Sequence, residues 1–87
     1  LRMEIFYSPK FRRQYKKLPL SVKKRAEQME KIFKGNPFSS KLKTHKLSGQ
    51  FNKYWSFSVD HQNRVIFEFY KKDIVRFHLV GDHSIYD

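Results

Sequence analysis

The chain contains no cysteine, and its 87 residues include only three glycines and three prolines. Without thiols, neither a disulfide framework nor a thiolate zinc site can staple a small domain together. Glycine is too sparse for a Gly-rich phosphate loop, and the G-x-S-x-G turn of a nucleophilic serine is missing. No apolar run approaches the ~20 residues of a membrane span. The N-terminus lacks the charged and apolar regions of a signal peptide. A cytoplasmic protein with no membrane association is therefore expected. Acidic residues are the other shortage: eight Asp and Glu stand against nineteen Lys and Arg, for a formal charge of +11.

What is abundant is aromatic and cationic. Nine Phe, five Tyr and one Trp bury large areas per residue, which suits a chain long enough for one core only. A single domain over residues 1–87 is expected. The cations are unevenly spread. Residues 10–53 hold fourteen Lys and Arg with only Glu27 and Glu30 as acids, whereas residues 54–87 hold four against five acids. A short charge run is usually a solvated face, but a field this concentrated attracts polyanions, nucleic acid first.

Periodicity then sets the elements. "MEIFYS" alternates Met3, Ile5 and Tyr7 against Glu4 and Phe6 and reads as a short strand. Ser8 suits an N-cap and Pro9 a first helical position. Phe11, Tyr15 and Leu18 continue that helix at i, i+4 and i+7, and Pro19 ends it. A second helix carries Val22, Ala26, Met29, Ile32 and Phe33 inward, with Gly35 as its C-terminal cap. "FSSKLKT" reads as a cationic loop. Three alternating runs follow, separated by "HQN" and "KKD". Trp55, Phe57 and Val59, then Val65, Phe67 and Phe69, then Val75, Phe77 and Leu79 are expected on the core face. The fold class is α+β: an N-terminal strand, a two-helix hairpin, then an antiparallel three-stranded meander, with the helices on one sheet face.

The other face is left for chemistry. It carries Ser58, Arg64, Arg76 and His78, and its bordering loops carry Lys41, Lys43, His45, Lys46, His61 and His83. Each histidine has a bland alternative. His78 within a strand reads as structural, His61 as a solvated turn residue, His45 as one more cation and His83 as a tail residue. Arg64 has Asp60 and Glu68 as nearby carboxylates if it serves only in an ion pair. Trp55 reads as core, whereas Tyr54 on the opposite face is the stacking candidate. No His, Cys or carboxylate spacing suggests a metal, so none is expected, nor any other cofactor. One chemistry fits these residue types. A base deprotonates a ribose 2′-hydroxyl, a cation stabilises the attacked phosphate, and an acid protonates the leaving 5′-oxygen. Histidine suits both proton roles and arginine suits the phosphate.

Four stretches, in order, carry a resemblance: "IFYSPKFRRQYKKLP", "HKLSGQFNKYWSFSV", "NRVIFEFY" and "FHLVGDHSIYD". Together they resemble the RelE/ParE toxin superfamily of bacterial toxin–antitoxin systems, and more closely its YafQ- and YoeB-like ribonuclease branch. The resemblance spans nearly the whole chain. It implies a compact microbial-ribonuclease, RelE-like fold and a toxin that cuts mRNA in the ribosomal A site without metal. It also implies a cognate antitoxin as partner. Residue by residue, it puts His45 on the histidine before Leu-x-Gly and Arg64 on the phosphate-stabilising arginine. His83 falls on the C-terminal general acid and Tyr86 on the terminal aromatic that orients RNA. Lys41, Lys43 and Lys46 would hold phosphates, with Tyr54, Arg76 and His61 as further RNA contacts.

The chain also departs from that pattern. Ser58 stands where YafQ-like members have a histidine, and Gln62 where they have an aspartate. "SKLKT" has none of the carboxylate that YoeB-like members place there. His45 is then the expected base. Two other functions remain open: a ParE-like gyrase inhibitor without ribonuclease activity, which the resemblance to the wider superfamily implies and against which His45, Arg64 and His83 together argue, and an RNA-binding module that does not cleave.

Overall fold

The computed structural model describes residues 2–86, so Leu1 and Asp87, the ends of the expected domain, lie outside the described residues. Strand β1 (Glu4–Tyr7) leads into helices α1 (Pro9–Lys16) and α2 (Leu20–Gly35). Then come β2 (His45–Lys46), β3 (Trp55–Ser58), β4 (Arg64–Lys71) and β5 (Ile74–Gly81), with 3-10 turns at Gly49–Phe51 and His83–Tyr86. The strands form one sheet in the order β1-β5-β4-β3-β2. As expected, β3, β4 and β5 make an antiparallel meander. Two features were not legible beforehand. β1 adds to the sheet in parallel beside β5, and the two-residue β2 extends the opposite edge.

Ser8 starts α1 and ties it to the sheet. Its Oγ accepts from Phe11 N at 2.9 Å, as an N-cap does, and donates to His78 O at 2.8 Å. Farther along the helix, Gln14 Oε1 accepts from Val80 N at 2.9 Å. Helix α1 is thus fastened to β5 at both ends. Helix α2 presents Ala26, Met29 and Phe33 to the core. Gly35 is not its cap, contrary to expectation. The helix runs through Gly35, and the extended Asn36 ends it, because the residue before a proline is driven out of the α region.

Phe33 is fully buried, with ring centroids 4.9 Å from Phe57, 4.8 Å from Phe67 and 5.5 Å from Phe77. This four-ring centre joins α2 to the three meander strands. Each buried ring contributes about 1.5–3 kcal/mol by area alone, which replaces the disulfides the chain lacks.

The β4–β5 register slips twice, at Tyr70 near the turn and at His78, and the second slip shapes the site. Ile66 faces Leu79 while Phe67 faces Phe77, so His78 is an extra residue in β5. Such a bulge shifts the phase of the strand beyond it. Leu79 therefore joins His78 on the open face, and Val80 takes the buried position expected for Leu79. The same shift sets Gly81 opposite Arg64.

Candidate functional site

Arg64 opens β4, the central strand, with Ser58 of β3 on one side and Gly81 of β5 on the other. Neither carboxylate near it in sequence pairs with it. Asp60 Oδ1 instead accepts from Gln62 N at 2.9 Å and Asn63 N at 2.7 Å, which builds the β3–β4 turn. Burial alone would raise the Asp60 carboxyl, but the hydrogen bonds from Asn63 and Gln62 together outweigh it and hold the group below its ordinary value. Glu68 is taken by His78, whose Nε2 lies 3.0 Å from Glu68 Oε1. The Arg64 guanidinium turns to His83, with Nη2 3.3 Å from Nε2. Its Nε is buried and has no hydrogen-bond partner among the described residues. A guanidinium only donates, so His83 Nε2 is the acceptor in this pair and the ring proton sits on Nδ1.

His83 belongs to an ordered turn rather than a tail. Asp82 caps that turn, its Oδ1 accepting from Ser84 N at 2.9 Å and Ser84 Oγ at 2.6 Å. The Ser84 hydroxyl and amide hold the Asp82 carboxyl below its usual value. Tyr86 ends the turn with its ring edge-on to Phe51, centroids 5.4 Å apart, and 6.3 Å from the His83 ring. The two 3-10 turns therefore meet through Phe51 and Tyr86.

Two depressions flank Arg64. One is a cleft of about 260 Å³ that Arg64 itself lines with Ser58, His61, Lys41, Lys43 and Arg25 of α2. The other, more open, runs past Gln62, His83 and Tyr86, and His61 lines it too. His61, Arg64, His83 and Tyr86 are thereby gathered at one end of the sheet, with Lys41 and Lys43 beside them.

Other expected site residues lie elsewhere. His45 is on edge strand β2, opposite Ser56, with Nδ1 3.0 Å from Lys43 O. Two strands and two residues from Arg64 correspond to about 12 Å between the Cα atoms, and His45 lines neither depression. Lys46 follows it on the same edge. Arg76 pairs in register with Glu68, four residues along β4 from Arg64, or about 13 Å away. Tyr54 stands edge-on to His78, centroids 5.0 Å apart, in a separate apolar depression with Phe51, Ile66 and Leu79. Trp55 packs against Phe38 and Phe69 beside the core. Among the described residues, no three histidine or carboxylate side chains converge to hold a metal ion. Among the described residues, no helix is long and apolar enough to cross a membrane.

Solved structures share this architecture from end to end. YafQ from E. coli strain BL21(DE3) superimposes with a TM-score of 0.75 at 20% identity, covering 97% of each chain. The YoeB/ParE toxin from Agrobacterium tumefaciens gives 0.78 at 15% identity, over 93% of this chain and 99% of that one. The YoeB–YefM complex from Staphylococcus aureus gives 0.76 at 20% identity, over 95% and 99%. This chain has the YafQ/YoeB toxin fold. No protein-family model and no curated protein matches the sequence.

Within the YafQ/YoeB fold, three residues that sequence reasoning passed over stand at the site. Arg25 reaches the cleft from α2, Phe51 props Tyr86, and Gly81 lets the C-terminal turn close over Arg64. The "G-x-H" step was a usable signal for Gly81. Arg25 had none, because helical spacing marks it only as an exposed cation.

Proposed function

We propose that this chain is the toxin of a type II toxin–antitoxin pair and that it acts as an endoribonuclease on mRNA in the ribosomal A site. The observation that carries the reading is the Arg64–His83 pair, 3.3 Å apart, with the Arg64 Nε buried and unpartnered among the described residues. A guanidinium with no carboxylate partner among the described residues, touching an imidazole at the mouth of a cationic cleft, suits a phosphodiester.

In this reaction the scissile phosphate draws Arg64 away from His83, and the freed Nε2 takes a proton from solvent before the leaving group departs. A base takes the 2′-hydroxyl proton, and the 2′-oxygen forms a bond to phosphorus. The bond from phosphorus to the 5′-oxygen breaks, and His83 delivers a proton to that oxygen. The products are a 2′,3′-cyclic phosphate and a 5′-hydroxyl. Arg64 stabilises the charge that builds on the phosphorane. His61 serves as the base in this reading, because it lines both depressions beside Arg64. The resemblance favours His45, and the two are separable by mutation. Tyr86 orients a base of the strand. Lys41 and Lys43, with Lys46 farther along the edge, hold phosphates, and the basic helices dock on ribosomal RNA. No step calls on a cofactor. An antitoxin is the expected partner, as the DinJ–YafQ toxin–antitoxin complex and the YoeB–YefM complex have one, and the basic surface of this chain is where an acidic partner would dock.

The test is primer extension on an mRNA in a reconstituted translation reaction, comparing wild type with His83→Ala. Cuts within A-site codons that disappear in the variant are expected. Cuts that persist unchanged would remove His83 from the mechanism. No cuts by the wild type would overturn the ribonuclease reading in favour of gyrase inhibition or simple RNA binding.

A further inference from the structure

The cleft beside Arg64 brings together four cations from three separate segments: Arg25, Lys41, Lys43 and Arg64. Like charges do not gather by attraction, so the fold must hold them there. Leu42 is fully buried and its carbonyl accepts from Ser58 N at 2.7 Å, which pins the loop between α2 and β2. Lys41 and Lys43, on either side of that anchor, both line the cleft. Lys43 takes a left-handed conformation, φ 54°, which a side chain enters at an energetic cost. Arg25 is aimed as firmly: its Nε donates to Val59 O at 3.1 Å, and its terminal amino groups make no hydrogen bond among the described residues. Among the described residues, none of the four forms an ion pair. Asp60 also lines the cleft, but its Oδ1 already accepts from the amides of Gln62 and Asn63.

An arrangement that concentrates unpaired cations around an open volume of several water molecules is built for an anion. We infer that this cleft is a second phosphate site, binding the phosphodiester next to the one that Arg64 and His83 hold for cleavage. Arg25, Lys41 and Lys43 grip that neighbouring phosphate, and Ser58 offers it a hydroxyl. This rests on the ribonuclease reading for the identity of the strand, though not for the existence of an anion site. Two successive phosphates held across the sheet end would fix the sugar between them. Fixing the sugar is what alignment of a 2′-hydroxyl for attack requires.

The experiment measures binding of a fully 2′-O-methylated, uncleavable hexanucleotide over a range of salt, for wild type, Arg25→Ala, Arg25→Lys and Lys72→Ala. Lys72 is the control, since it carries the same charge in the β4–β5 turn at the far end of the sheet. Arg25→Ala should weaken binding about ten-fold at low salt and lower the slope of log K against log[salt] by about 0.7, the value of one single-strand phosphate contact. Arg25→Lys should keep most of the slope, and Lys72→Ala should keep all of it. In parallel, inorganic pyrophosphate should raise the melting temperature of wild type more than that of Arg25→Ala at matched ionic strength. Equal slopes and affinities for wild type and Arg25→Ala would overturn the inference. A pyrophosphate effect without any change in the RNA slope would overturn the assignment to an RNA strand. A wild type that binds RNA through Arg25 yet makes no cuts on the ribosome would sink the ribonuclease reading and leave the anion site standing.

Discussion

Gly81 and Ile85 meet where no further atom fits. A Cβ added to Gly81 would lie 2.6 Å from Ile85 Cγ2, and the Gly81 φ of 152° is one that side chains rarely adopt. The close approach folds the His83 turn back beside the residue opposite Gly81 in the sheet, which is Arg64. A missing side chain in β5 is therefore a condition for the Arg64–His83 contact.

Gly81→Ala should displace that turn. Backbone strain of this kind costs about 1–3 kcal/mol, so the domain should still fold while RNA cleavage falls at least about ten-fold. Adding Ile85→Ala removes the clash but not the φ strain, and should restore part of the activity. Urea melts and cleavage assays on the two variants check this together. Full activity in Gly81→Ala would show that the turn does not need its present path.

His61 and His45 differ in position, so they should differ in consequence. His61→Ala should slow single-turnover cleavage on programmed ribosomes by about 10²–10⁴-fold, the usual contribution of general acid–base catalysis. Its affinity for uncleavable RNA should stay near that of wild type. His45→Ala should cost far less in rate. The reverse ranking would return the base to the edge strand.

Ser8 performs two tasks with one hydroxyl, capping α1 and binding the carbonyl of the bulged residue His78. Ser8→Ala should lower stability by about 1–2 kcal/mol, the upper part of the N-cap range, because the site is buried. Chemical denaturation reads this directly. A loss no larger than that of an exposed substitution would mean that water replaces both bonds.

Asp60 makes stability depend on pH. Its folded-state value lies below the ordinary carboxylate value, so its contribution is present above about pH 4 and is lost as pH falls through the folded value. Asp60→Asn should destabilise the domain near neutrality, and the gap from wild type should close as pH falls below about 4. Melting curves from pH 7 to pH 2.5 follow the gap. A gap independent of pH would mean that the turn is held by shape rather than by the carboxylate.

Several of these relationships are legible in the amino-acid sequence alone. Ser8-Pro9 announced the start of α1, and the inward spacing of Ala26, Met29 and Phe33 announced α2. Strict alternation in β3 and β4 assigned Phe57, Val65 and Phe67 to the core. It misassigned Leu79, because a bulge adds one residue to a strand without any mark in composition or pattern. The parallel pairing of β1 with β5 was equally hidden, since it joins segments nearly seventy residues apart. At the site, Arg64, His61 and His83 could be named as residue types suited to phosphate and proton work. Their gathering, and the exclusion of His45 from it, could not be named.

The amino-acid order by itself determined the elements, the aromatic core and the concentration of positive charge, because these follow from neighbours three, four or two residues apart and from simple counting. Tertiary structure alone decided which cations share a cleft, that Arg64 turns to His83 rather than to Asp60 or Glu68, and that Arg25 joins them from a helix. Those outcomes depend on sheet register, on one bulge at His78 and on one missing Cβ at Gly81. Each is a long-range fit between surfaces, and local sequence carries no record of which surfaces will meet.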